Sequence, residues 1–266
     1  MAIIIKSRRE LEMMRRTGKV GRDILNLLST MVKPGMNTWD LNEVARVELD
    51  KVGAIGTSKH YPTYKAGEGF PSEMCISTNE EVVHGIPSPR ALIEGDIISI
   101  DMGAKLDGFY GDSAVTVPVG AVSAEAQRLL DVTRTALDRA VAAVKAGARV
   151  SDIGAAVQSY VEAQGFSVVR EFVGHGIGTS LHEEPQIPNY GTAGRGPRLA
   201  EGMALAIEPM VNAGKPAVKV LGDGWTAVTK DKALSAHFEH TVVVTEHGCR
   251  VLTLPPDAVF EDRVSA

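Results

Sequence analysis

After Ser7-Arg8-Arg9-Glu10, which reads as a capping box, polar and apolar positions follow a helical period until Lys33-Pro34-Gly35. A second amphipathic stretch runs from about Thr38 to Lys51 and stops at Gly53. Residues 54–75 break the pattern with Pro62, Gly67, Gly69 and Pro71 and read as loop. Short apolar runs then predict strands near 74–78, 96–102 and 109–119. Ser123 marks the start of a third helix reaching about Lys145, and Ser151 the start of a fourth ending before Gly165. The remainder reads as strands separated by Gly- and Pro-rich loops.

The pattern occurs twice. Lys33 to Leu41 resembles Lys145 to Ile153, 112 residues later, and both copies continue as a helix to a glycine, Gly53 or Gly165. Glu94-Gly95-Asp96 through Asp101 resembles Glu201-Gly202-Met203 through Glu208. Asp112 and its β-branched run resemble Glu239 and its own. Two copies are too few for a solenoid. The expectation is one α+β domain spanning 1–266, with related halves of about 1–120 and 121–266.

Charge now changes the picture. Asp101 ends Ile97-Ile98-Ser99-Ile100, and Glu208 ends Ala204-Leu205-Ala206-Ile207. Asp112 and Glu239 each precede a β-branched run. A buried carboxylate is tolerated only when paired or metal-bound, and no Lys or Arg lies in these runs. Asp107-Gly108 is a hairpin signal that brings Asp101 and Asp112 almost opposite each other on adjacent strands. Like charges so placed repel, and a cation removes the conflict. A satisfied carboxylate beside a solvated one is the alternative for that pair alone.

Gly174-His175-Gly176-Ile177-Gly178 lacks the spacing of a phosphate loop. Its glycines are expected to let the backbone approach a ligand. Asp101, Asp112, His175, Glu208 and Glu239 then form an oxygen-rich set with one nitrogen and no thiolate. One dication would leave two of the four negative charges unbalanced, whereas two dications balance them. Manganese, Fe(II) and cobalt suit this set, and zinc also remains open.

His182 follows His175 by seven residues, and His84 has a similar His-x-x-Pro setting in the first half. Both suit donors flanking a metal-bound substrate, although a lone histidine is more often structural. Phe70, Cys75, Leu181 and Trp225 lie near these motifs. They read as core, or as walls of a side-chain pocket if the metal site forms. Cys75 has no nearby histidine in sequence and is not read as a nucleophile. His60, His237, His240 and His247 receive no role from spacing. Glu80, Glu81, Glu183 and Glu184 read as solvated charges, and Cys249 as structural.

Composition narrows the class. The chain has 266 residues, 44% of them hydrophobic, and a formal net charge of −5, which argues against a broad nucleic-acid or anionic-membrane surface. Arg8, Arg9, Arg15 and Arg16 are interleaved with acids and read as a solvated helix face. Two cysteines make no disulfide framework, and no apolar stretch reaches signal-peptide or transmembrane length. A cytoplasmic protein is expected.

Taken together, these segments resemble the type I methionine aminopeptidases. The resemblance rests on Cys75 to Ser77, His84 to Pro87, Asp101 to Asp112, Phe172 to Pro185, Ile207 to Gly214, and Ser235 to Val244 around Glu239. It spans essentially the whole chain. It implies the pita-bread fold of the creatinase and aminopeptidase class: a curved antiparallel sheet, outer helices and internal pseudo-twofold symmetry. It implies removal of an initiator methionine from nascent polypeptides, favouring a small second residue, by water activated at a dinuclear metal site.

The resemblance also implies that Asp101 binds one metal, His175 and Glu208 the other, and that Asp112 and Glu239 bridge. Glu208 is then the proton shuttle, His182 the donor to the carbonyl oxygen, and His84 the contact to the scissile nitrogen. Phe70, Cys75, Leu181 and Trp225 become the methionine pocket. A monomer with transient ribosome association is implied, without membrane or specific nucleic-acid binding. The chain departs from the family at Gly67-Glu68-Gly69, where an aromatic residue is usual, and Lys59-His60-Tyr61-Pro62 has no assigned role.

Two other readings compete. X-Pro dipeptidases and aminopeptidase P use similar ligands but carry a large N-terminal domain. A metal-free binding module on the same fold would have no need of all five ligands. Only 31 residues separate Glu208 from Glu239, too few for the helical insertion of type II enzymes.

Overall fold

The computed structural model describes residues 2–62 and 69–254. Four helices form, the first three from the starts the sequence predicts: α1 (Arg8–Met31), α2 (Thr38–Val52), α3 (Ala124–Ala142) and α4 (Val150–Ala163). At α1 the Ser7 hydroxyl accepts from the Glu10 N–H at 3.3 Å, and the Glu10 carboxylate accepts from the Ser7 N–H at 2.7 Å. Asn37 caps α2 by accepting from the Asp40 N–H at 2.8 Å, and Gly53 ends that helix at φ 70°.

The fourth helix starts earlier than Ser151. Arg149 is its N-cap, and the Arg149 N–H donates to the Asp152 carboxylate at 2.7 Å. Asp152 thus satisfies the entry of the chain, and Ser151 lies inside the first turn. Its hydroxyl donates instead to the Arg195 carbonyl at 2.8 Å.

The central sheet has eight strands: β1 (Cys75–Thr78), β2 (Ile97–Asp101), β3 (Ser113–Pro118), β4 (Gly174–Gly176), β5 (Glu183–Ile187), β6 (Ala204–Ile207), β7 (Glu239–Val244) and β8 (Cys249–Val251). Their order is β5-β4-β6-β7-β3-β2-β1, with β8 also paired to β7, and every pairing is antiparallel. Strands of the first half lie on one side of the β7–β3 contact, and their counterparts from the second half on the other.

One face of the sheet is covered by helices. Ile98 and Ile100 pack with Leu25 and Leu28 of α1 and Leu41 and Leu49 of α2. Leu205, Ile207 and Val242 pack with Leu129 and Leu130 of α3 and Val157 and Val161 of α4. Each helix pair therefore serves one side of the sheet, and the opposite face is left for chemistry.

The hairpin forms at Asp107 and Gly108, both at positive φ (51° and 85°). This is the geometry that a two-residue loop between right-twisted strands requires. Leu106 is thereby held opposite Phe109, and the same register carries Asp101 to Ala114. Asp112 is consequently diagonal to Asp101, two residues back along the chain from Ala114, and not directly opposite. The strand expected over 109–119 is interrupted at Asp112, whose N–H donates to the Thr241 hydroxyl at 3.0 Å.

Candidate metal centre and substrate cavity

Strand register builds the site. Side chains alternate across a strand, so directly paired residues share a face. Cys75 pairs with Asp101, Asp101 with Ala114, and Ala114 with Glu239. A second row is formed by His175, Ala206 and Thr241. Asp112 stands two residues before Ala114, Thr241 two after Glu239, and Glu208 two after Ala206. The period of two therefore aims all five candidate ligands at the face opposite the helices. Ala114 and Ala206 are small and leave space between the charged side chains.

Local contacts fix the ligands. The Thr241 hydroxyl, which accepts from Asp112, also donates to the Asp112 carbonyl at 2.8 Å. His175 Nδ1 lies 2.9 Å from the Gly176 carbonyl, which accepts its proton and leaves Nε2 free to act as a ligand. The glycines beside His175 serve the neighbouring strands and not a ligand. A Cβ on Gly174 would lie 2.4 Å from the Ala206 carbonyl oxygen, and one on Gly176 2.2 Å from that of Glu184.

Asp112, His175 and Glu239 each offer a ligand atom within 4.8 Å of the other two. Glu208 lies 3.6 Å from His175 Nε2. Asp101 and Asp112 are close enough for each charge to oppose ionisation in the cluster. Burial first, then Asp112, pushes the Asp101 carboxyl well above the usual range. Burial, followed by Asp101 and Asp112, does the same to Glu208, and burial with Asp112, Glu208 and Asp101 to Glu239. Asp112 is pushed up to about 6 by burial. No Lys or Arg is among the described residues lining the cavity.

These residues fit divalent metal. Glu239 is 2% exposed, yet its Oε1 has no hydrogen-bond partner. A buried carboxylate oxygen without a donor is costly, and the surrounding donors are carboxylate oxygens and one imidazole nitrogen, a set that binds such ions.

The cavity over this cluster has a volume of about 250 Å³. It brings together the five ligands with His84, His182, Phe70, Cys75, Leu181 and Trp225. Phe70 meets Trp225 edge to face at 5.3 Å and forms an apolar corner. Burial, with Asp101 opposite, raises the Cys75 thiol well above its ordinary value, so it is a neutral wall. His84 sits at φ 60° just after the strand Glu81–Val83, with its ring edge to face with Phe172 at 5.3 Å. Burial depresses it to about 4, with His182 adding to the effect. His182 is exposed at the cavity mouth, its ring 4.3 Å from that of His175, and is also depressed by desolvation.

Several neighbours carried no assignment in the sequence. Tyr61, Phe172, Val83, Thr57 and Ser58 line the cavity. His237 Nε2 lies 3.6 Å from the Glu208 carboxylate, and both its ring nitrogens are buried without a hydrogen-bond partner. Its position two residues before Glu239 was a usable signal. Tyr61 had none, because Phe70 carries it in by donating its N–H to the Tyr61 carbonyl at 3.1 Å. Glu183, read as solvated, is buried in an ion pair with Lys6 and accepts from the Thr179 and Ser180 N–H groups. Gly67 and Glu68 lie outside the described residues.

Residues 12–246 match metallopeptidase family M24. Methionine aminopeptidase 1 of Bacillus subtilis is 51% identical over 251 residues, 94% of this chain and 99% of the relative. The crystal structure of methionine aminopeptidase from Rickettsia prowazekii is 41% identical, with a TM-score of 0.92 over 95% of this chain and 100% of that one. Prolidase from Pyrococcus furiosus has a TM-score of 0.75 over 95% of this chain and 66% of its own. At 21% identity that last likeness is one of fold alone.

Proposed function

The chain belongs to metallopeptidase family M24, and from that premise we propose that it removes N-terminal methionine from polypeptides with a small second residue, using two divalent cations. It has the pita-bread fold and is a metal-dependent aminopeptidase. The observation that carries the finer reading is the gathering of four carboxylates and His175 on one sheet face, with Glu239 Oε1 buried and unpartnered.

Asp101 would hold one cation, His175 and Glu208 the other, and Asp112 and Glu239 both. Manganese, cobalt, Fe(II) and zinc are the candidates. Bound there, such cations supply polarisation of the scissile carbonyl and a lowered pKa for water.

The chain's own residues do the rest. Glu208 carries a proton from the attacking water to the departing amine. His182 donates to the carbonyl oxygen as negative charge develops there. His84 contacts the scissile nitrogen and assists its departure. Phe70, Cys75, Leu181 and Trp225 enclose the flexible thioether of methionine. The crowding around His84 favours a small second residue.

In this reading residues 1–266 form one catalytic domain of two halves. The protein is a cytoplasmic monomer that meets nascent chains, with transient ribosome association. Kinship to methionine aminopeptidases supports the polypeptide substrate in this reading.

A peptide panel with metal restored to the metal-free enzyme tests the proposal. Met-Gly, Met-Ala and Met-Ser peptides should be cleaved far faster than Met-Lys or Met-Phe, and faster than x-Pro. Equal rates across the methionine series contradict the second-residue preference. Faster x-Pro cleavage would indicate a prolidase-like enzyme, and no turnover with metal bound would indicate a binding module.

A further inference from the structure

We propose that Tyr61 is a positioning residue for His182, donating its hydroxyl to Nδ1 and so fixing the imidazole tautomer that presents Nε2–H to the cavity. The inference rests on the donor role proposed above for His182.

The Tyr61 oxygen lies 2.8 Å from His182 Nδ1. The two rings meet edge to face at 5.5 Å, with an interplanar angle of 89°. A neutral imidazole has one N–H and one lone pair, and the partner of one nitrogen decides what the other can do. A phenol is a better donor than acceptor, because its oxygen lone pair is delocalised into the ring, while an imidazole nitrogen lone pair is a good acceptor. The favoured pairing is therefore O–H to Nδ1, which leaves the proton on Nε2. The opposite pairing would turn a lone pair toward a cavity already rich in carboxylate oxygens and leave nothing to donate to a substrate carbonyl.

Tyr61 is held for this task from both sides. Its N–H donates to the Ser58 carbonyl at 2.9 Å, and its carbonyl accepts from the Phe70 N–H at 3.1 Å. The His60 N–H donates to the Phe70 carbonyl at 2.8 Å. Phe70 itself packs on Trp225, so one run of contacts joins the apolar corner to the histidine at the mouth. Tyr61 and His182 also border an adjoining groove of about 390 Å³, which lets the pair meet a peptide chain leaving the cavity.

The test uses zinc-loaded enzyme, which is diamagnetic, with ¹⁵N-labelled histidine. Proton–nitrogen correlation spectra distinguish a protonated from an unprotonated ring nitrogen. Wild-type His182 should carry its proton on Nε2. Tyr61→Phe keeps the ring contact and removes only the hydroxyl. It should give a mixture of tautomers and lower kcat by roughly 3–10-fold, the worth of one hydrogen bond, with KM and metal content nearly unchanged. A proton on Nδ1 in the wild type overturns the proposal, as does a Tyr61→Phe enzyme with unchanged tautomer and kcat. His182→Ala separates the two readings. Full activity there overturns the donor role of His182, while the spectra still decide whether Tyr61 sets the tautomer.

Discussion

The two flanks of the sheet share a frame and differ in what they carry. On one side, β1 borders β2, and Cys75 stands opposite Asp101. On the other, β4 borders β6, and His175 stands opposite Ala206. Each flank supplies two carboxylates from its inner strands. The next strand outward adds an inert thiol next to Phe70 and Trp225 in the first case, and in the second an imidazole beside His182. A duplicated frame thus allows division of labour. Both halves hold charge at the centre, and the strands beside them differ, one presenting Cys75 and the other His175, while His84 from the first half and Leu181 and Trp225 from the second reach the same cavity across the divide.

The central carboxylates are the place where breaking the site should cost most. Glu208→Gln keeps size and removes the proton carrier, and turnover should fall by about 10²–10⁴-fold, with weakened metal binding adding to the loss. Wild-type kcat in the folded variant at saturating metal would sink the role of Glu208.

Next come the histidines, which separate substrate contact from metal contact. His182→Ala should lose roughly 10²–10³-fold in kcat, typical of removing a donor to a developing oxyanion, His84→Ala about 10²-fold or more, as for a group assisting departure of the nitrogen, and both should keep their metal. Elemental analysis with steady-state kinetics checks this. A variant that retains full activity marks its histidine as structural.

The apolar flank should answer differently. Trp225→Ala opens the corner against Phe70, so KM for methionyl peptides should rise roughly 10-fold, by loss of apolar burial, with kcat less affected. An unchanged KM would mean that methionine does not lie there.

Much of this division was legible beforehand. Charged residues beside apolar runs marked the four carboxylates that the fold gathers with His175 around one cavity, because burial makes an unpaired carboxylate costly. The caps at Ser7 and Ser123 marked helix starts, since both hydroxyls accept from the third helical N–H. Asp107-Gly108 marked the hairpin. Its register, with Leu106 opposite Phe109, sets Asp112 diagonal to Asp101. The capping role expected of Ser151 passed to Asp152, because a carboxylate three residues on could reach the Arg149 N–H. Tyr61 was illegible for another reason: its place depends on pairing with Phe70 across a loop, and no local pattern encodes such a contact. Glu183 was misjudged because its partner, Lys6, is 177 residues away in sequence.

The smallest effect is a pH dependence of the metal-free protein. Asp112 has a folded pKa of about 6 against an ordinary 3.8, so the folded chain holds that proton more tightly than the unfolded chain. The resulting stability is fully present below the ordinary value and is lost as pH rises through about 6. Asp101, Glu208 and Glu239 shift in the same direction and extend the loss. Metal should reverse the trend, because it binds the ionised carboxylates. Thermal melts of metal-free protein across this range check the sign. A Tm that rises between pH 4 and pH 7 without metal would refute it.

The central claim, that both flanks hold the metals while each keeps its own task toward substrate, is tested most directly by calorimetric titration of metal-free protein with Mn(II). Wild type and His182→Ala should each bind two equivalents per chain, and His175→Ala fewer or more weakly. A single equivalent in the wild type, or the loss of one in His182→Ala, would contradict the account.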